Sequence, residues 1–157
     1  MKKKTWREKL ADDKDLPKIC EVAGKLSKRW GPGRFVIPAP REVDALMKQV
    51  PRGRLVTIND LREALARKHK TDFTCPITTG IFSWIAAHAA AEQEALGKKR
   101  VTPFWRTLKA GGEINPKYPG GVAGVARRLR AEGHRIASKG KRLVVAGYQQ
   151  DLFAGLK

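Results

Sequence analysis

The sequence predicts a mostly α-helical domain with one small β-hairpin: a winged helix-turn-helix carrying an N-terminal arm. Three observations predict it. Two segments with apolar residues at helical spacing, from Thr57 to His69 and from Thr74 to Gly97, are joined by a short connection. A third helical stretch, "GVAGVARRLRAEG", leads into "HRIASKGKRLVVAGY", which alternates on both sides of a Lys-Gly turn. Finally, 33 Lys and Arg against 15 Asp and Glu give a formal charge of +18 over 157 residues. Such a field favours a polyanionic partner, because each phosphate neutralised releases condensed counterions.

Taken in order, residues 1–37 are the least regular. An amphipathic pattern (Leu16, Ile19, Val22, Leu26) is followed by a Gly-Pro-Gly break and the apolar run Phe35 to Ile37. This reads as a helix-loop-strand arm packed on the domain, or as a flexible basic arm. From residue 38 to 133 the pattern sharpens. "PREVDALMKQVP" spaces Val43, Leu46, Met47 and Val50 for a helix that Pro51 stops. Thr57 with Asp60 predicts a variant capping box for the next helix, with Ile58, Leu61 and Leu65 on one face. Thr74 is placed to cap the second helix, with Pro76 in its first turn and Gly97 past its end. Its stripe Ile77, Ile81, Trp84, Ile85 and His88 is expected to face the core, with His88 as a satisfied core histidine. In the following helix Val122, Val125 and Leu129 point inward. Residues 134–157 form the hairpin, or wing, and a tail.

The charge is not a tail: residues 1–70 hold 19 basic and 9 acidic side chains, and residues 71–157 hold 14 and 6. Cys20 and Cys75 stand far apart without metal-ligand spacing, so neither a disulfide framework nor a metal site is expected. The basic opening lacks the apolar stretch of a signal peptide, and no run is long enough for a membrane span. A cytoplasmic protein, nucleoid-associated if bacterial, is expected, working as a monomer without a cofactor.

With the Ile stripe inward, the outer face of the second helix would present small residues: Thr79, Ser83, Ala86 and Ala90. A backbone can approach such a face closely. Thr78, Thr79, Gly80 and Ser83 are therefore candidates for entering a groove by shape; the alternative is that the small residues pack against the arm. Residues 127–142 hold Arg127, Arg128, Arg130, Arg135, Lys139, Lys141 and Arg142 against the single acid Glu132. Arg127, Arg128, Lys139, Lys141 and Arg142 are candidates for phosphates at a wing, or they form a solvated face.

"VPRGRLVTINDL", the helix from Pro76, "TPFWRTLKAGG", "NPKYPGG" and "LRAEG" occur in an order that resembles the DNA-binding, active-site domain of the O6-alkylguanine-DNA alkyltransferases. The resemblance runs from about Pro40 to Gly133 and looks closer still to the alkyltransferase-like relatives that lack the acceptor cysteine. It implies that domain's winged helix-turn-helix fold, binding to DNA, a place in DNA repair as a sensor of alkylated bases, and other repair proteins as partners.

The chemistry does not carry over. The family motif runs Pro-Cys-His-Arg; here Phe104 stands at the cysteine and Trp105 at the histidine, and Arg106 alone matches. A phenyl ring accepts no alkyl group and an indole is no base. The turn tyrosine falls on Ile58 and the intercalating arginine on Gly80, positions that the alkyltransferase-like relatives keep. Ile58, Phe104 and Trp105 thus outline a degenerate pocket, either filled by packing or turned into an aromatic platform. Arg106 and Lys109 join the phosphate candidates. Cys75, at the start of the second helix, is the alternative acceptor or a small buried apolar side chain. The leading expectation is a non-enzymatic DNA-binding protein. An RNA- or ribosome-associated binder, a residual transferase through Cys75 and a protein-interaction module are the alternatives.

Overall fold

The computed structural model describes residues 3–157. Among these the elements run α1 (Trp6–Ala11), β1 (Lys18–Glu21), α2 (Leu26–Trp30), β2 (Arg34–Ile37), α3 (Pro40–Lys48), β3 (Val56–Thr57) and α4 (Ile58–His69). They continue with β4 (Phe73–Thr74), α5 (Pro76–Ala95), β5 (Thr107–Leu108), α6 (Gly121–Ala131), β6 (Ile136–Lys139) and β7 (Arg142–Val145). Helix dominates and the sheets are small. No helix among the described residues is long and apolar enough to cross a membrane.

One core lies between α3, α4, α5 and α6, built on Val43, Met47, Leu61, Leu65, Phe104 and Leu129, all fully buried. The start of α4 follows its capping pattern: Asp60 N–H donates to Thr57 Oγ1 at 3.3 Å and Thr57 N–H to Asp60 Oδ2 at 2.8 Å. Such a cap is worth about 1 kcal/mol. At its other end Lys70 turns left-handed, with φ 55°.

The cap of α5 is Cys75 and not Thr74. Thr74 is fully buried because β4 pairs in parallel with β2, and its hydroxyl donates to the Arg62 carbonyl at 2.6 Å. The faces of α5 are also reversed from expectation. Thr79, Ser83, Ala86, Ala87 and Ala90 are buried, whereas Ile77 is 56% and Ile81 45% exposed. The physical reason is close packing. Small residues let α3 lie tightly along α5, and the larger side chains are left on the opposite side. Farther along, α1 covers that side: Trp6 meets Trp84 edge-on at 4.7 Å and stacks on His88 at 4.5 Å.

The N-terminal region packs on the rest of the chain, although its helix lies earlier than the amphipathic pattern suggested. Glu92 holds α1 by accepting the Trp6 N–H at 3.0 Å and the Arg7 N–H at 3.2 Å. The stretch around Ile19 is a strand, β1, pairing antiparallel with β2 from Lys18↔Ile37 to Glu21↔Arg34. Here strand pairing overrides a helical spacing of apolar residues.

The hairpin forms as its alternation predicts, with Ile136 opposite Val145 and Lys139 opposite Arg142. Gly140, at φ 64°, supplies the left-handed residue that the tight turn requires. The preceding loop joins it: Ile114 N–H donates to the Leu143 carbonyl at 2.9 Å.

Candidate nucleic-acid interface

The site begins with what fills the degenerate pocket. Parallel pairing of Val56 with Thr107 and Thr57 with Leu108 ties the turn Phe104–Arg106 to the start of α4. Phe104 is completely buried, with Trp105 at 5.3 Å and Tyr118 at 5.9 Å, both edge-on. Ile58 is partly buried against the same core. Burial pushes the Tyr118 phenol up to about 12, against the opposing effect of hydrogen bonds with Ser83 and Asn115.

Trp105 is anchored from behind. Its indole N–H donates to Glu132 Oε2 at 2.8 Å, and Arg106 donates to the same carboxylate through Nε at 2.9 Å. Arg106 also donates to the Val50 carbonyl at 2.8 Å, and Gly53 N–H to Glu132 Oε1 at 3.2 Å. Burial pushes the Glu132 carboxyl up, but the Arg106, Trp105 and Gly53 donors outweigh it and hold the group below the usual carboxylate range. Arg106, expected at a phosphate, is therefore used inside the fold: an arginine holding a buried carboxylate is not available to DNA. Cys75 is buried, and Cys20 is half-buried. Among the described residues no cluster of His, Cys, Asp and Glu could hold a metal ion.

The groove candidates on α5 are corrected in the same way. Thr79 donates to the Cys75 carbonyl at 2.7 Å and Ser83 to the Gly80 carbonyl at 2.8 Å, both from the inner face. The Thr78 hydroxyl is buried too, with no hydrogen-bond partner. None of the three hydroxyls is offered to a ligand. Gly80, half-buried, stands in the wall of a cleft of about 420 Å³. Ile77, Gly80, Ile81 and Trp84 line one side, and Lys109, Asn115, Pro116 and Lys117 the other.

No acidic side chain lines this cleft. Its loop wall is held by His88, whose Nε2 donates to the Lys117 carbonyl at 3.0 Å, and by the Lys117 N–H, donated to Asn115 Oδ1 at 3.0 Å. The half-buried His88 is thus satisfied, though by the loop and by Trp6 rather than in the core. The same loop pairs with β7 through Glu113 opposite Val144, so the cleft wall and the hairpin are joined by hydrogen bonds.

Lys139, Lys141 and Arg142 are exposed on the hairpin, and Arg127 is exposed on α6. Lys109 and Arg142 each stand 3.7 Å from Glu113, and both remain largely in solvent. Arg128 is a correction. It donates to Glu94 Oε1 at 2.6 Å and lies 4.5 Å over the Trp105 ring, so it packs the turn instead of presenting a free cation. Sequence reasoning missed Ile77, Ile81, Asn115 and Lys117. The alanines at 86, 87, 89 and 90 were the available signal, since an alanine-rich face is the one a neighbouring helix can approach.

No protein-family model matches the chain, and no curated protein does. Among solved structures, the chain is similar to the crystal structure of S. pombe Atl1 in complex with damaged DNA containing O6-carboxymethylguanine. The likeness has a TM-score of 0.47 at 14% identity, covering 73% of this chain and 93% of that one.

Proposed function

We propose that this chain is a non-enzymatic DNA-binding protein, a winged helix-turn-helix in which α4 and α5 form the motif and β6–β7 the wing. One observation carries the reading: the outer face of α5 borders an acid-free cleft flanked by Lys109 and Lys117. The loop that supplies those lysines pairs with a hairpin bearing Lys139, Lys141 and Arg142. A helix face bordered by cations is suited to a groove whose edge carries phosphates.

The interior supports a binding role over a transfer role. Phe104 fills the position that the sequence resemblance gives to a nucleophile, and Trp105 is fixed by Glu132. A buried thiol at Cys75 adds no accessible nucleophile. The resemblance also implies sensing of alkylated bases and partners among repair proteins. With Phe104 in place, the frame serves DNA binding without a base pocket at that position.

The test is fluorescence anisotropy with matched duplexes containing guanine or O6-methylguanine, at two salt concentrations. Equal affinities that fall steeply with salt are expected, together with weaker binding by the K139A/K141A/R142A variant. A flat salt response would remove the electrostatic basis. Preference for structured RNA at matched salt would instead favour an RNA-binding role, and tenfold preference for the modified duplex would restore lesion sensing.

A further inference from the structure

A second concavity, of about 410 Å³, lies at the far end of α5. Its wall includes Lys48, Lys99, Arg100, Trp105 and Arg128, and Glu94 is its one acidic side chain. Pairing decides which of these cations are free. Arg128 donates to Glu94 at 2.6 Å, and Lys48 stands 3.2 Å from Asp44. Lys99 and Arg100 have no carboxylate partner among the described residues, and both are exposed, as is Lys98 before them. The segment is not a loose run of charge. Lys98 N–H donates to the Gln93 carbonyl at 3.0 Å, and just past Arg100 the Thr102 hydroxyl donates to buried Asp44 at 2.6 Å. Three cations are thus presented from a backbone pinned at both ends.

We infer that Lys98, Lys99 and Arg100 take the phosphate backbone of a second DNA duplex, so that one chain bridges two segments. The inference rests on the DNA-binding reading above and adds a second contact to it. Distance separates the two surfaces. A helix rises about 1.5 Å per residue, so Gly80 in the first cleft and Ala95 at the end of α5 are about 22 Å apart. A duplex crossing α5 presents a major groove only about 12 Å wide, too narrow to set phosphates at both. A duplex running along α5 meets α1 instead, since Trp6 covers Trp84 and His88, and Glu92 accepts the Trp6 and Arg7 amides. The chemistry of the surface selects phosphates over protein. Protein contacts are dominated by apolar anchors. Here Arg128 lies 4.5 Å over the Trp105 ring and Pro103 is buried, while exposed Leu96 does not line the concavity. A short row of held, unpaired cations suits the regular charge of a backbone and reads no sequence.

The experiment uses the full chain, a short biotinylated duplex on beads and a fluorescent duplex of the same sequence in solution, with anisotropy on the single duplex alongside. The wild-type chain should retain the fluorescent duplex on the beads, and retention should fall with salt. The K99A/R100A variant should keep its melting temperature, since both side chains are exposed, keep its affinity for a single duplex, and lose the retention. K99R/R100K, which preserves both charges, should retain the second duplex. Single-duplex binding without retention by the wild-type chain, or equal retention by K99A/R100A, overturns the bridge and leaves DNA binding standing. Weaker single-duplex affinity in K99A/R100A places these cations on the first duplex and also overturns it. If the wild-type chain binds poly-glutamate through Lys99 and Arg100 but holds no second duplex, the surface takes an acidic protein segment and the DNA assignment falls. Absence of salt-dependent anisotropy overturns the DNA-binding reading and the bridge with it.

Discussion

Arg106 and Glu132 form a paired hydrogen bond, Nη2 to Oε2 at 2.8 Å and Nε to Oε1 at 2.9 Å, with side chains only 13% and 4% exposed. The carboxylate also holds the Trp105 indole and the Gly53 amide, so one pair fixes the 3-10 turn, the end of α6 and the loop before β3. Removing one partner strands a buried charge. Arg106→Ala should therefore cost about 3–5 kcal/mol of stability. Arg106→Lys should recover little, because an ammonium lacks the planar fork. Urea denaturation measures both, and a loss under about 1 kcal/mol would mean that water replaces the pair.

The same carboxylate gives an acid limb to stability. Its folded pKa is depressed, so the fold binds the Glu132 proton less readily than the unfolded chain does. The stabilisation is present above the ordinary carboxylate range and is lost as pH falls through the depressed value. Glu132→Gln should lower stability near neutrality and flatten the decline below about pH 5. Melting curves from pH 7 to 3 check this. An unchanged acid slope would place the titration elsewhere, for example on Glu42, also held low against burial by Lys68, the Ala39 N–H and His69.

These two residues also mark what the sequence could and could not disclose. Helices α3 to α6, the Thr57–Asp60 cap and the hairpin were legible because they depend on local spacing, capping and turn chemistry. Which face of α5 turns inward was not. Both its stripes are apolar or small, and the choice is made by α3 and by Trp6, distant along the chain. Pairing was equally hidden. Arg106 and Arg128 look like free cations in a basic sequence, yet Glu132 and Glu94 neutralise them. Among the site candidates, Lys139, Lys141 and Arg142 are exposed, because a hairpin tip has few neighbours.

Tyr118 predicts an alkaline limb. Its phenol is buried and raised to about 12, above the ordinary value of 10.0. The fold keeps this proton when the unfolded chain has lost it, so stability falls as pH rises from 10 to about 12. Two units correspond to about 2–3 kcal/mol. Denaturation between pH 9 and 12 should show the decline, and Tyr118→Phe should remove that part of it. A Tyr118 phenolate absorbance appearing near pH 10 in the folded protein would contradict the prediction.

Gly80 supplies the sharpest separation of fold from function. It sits within α5 without a positive φ, and a Cβ there would meet open space. Gly80→Ala should therefore stabilise the protein by about 0.5–1 kcal/mol, through helix propensity alone. Gly80→Lys keeps much of that gain and adds a cation to the cleft. If α5 faces the phosphates, this variant should bind duplex DNA more tightly and steepen the slope of log K against log salt by about 0.9. Stability rising while affinity and slope stay at wild-type values would mean that the glycine is structural and that DNA lies on another face. A rise in both would tie the cleft to the duplex through a position where an added side chain meets nothing in the fold.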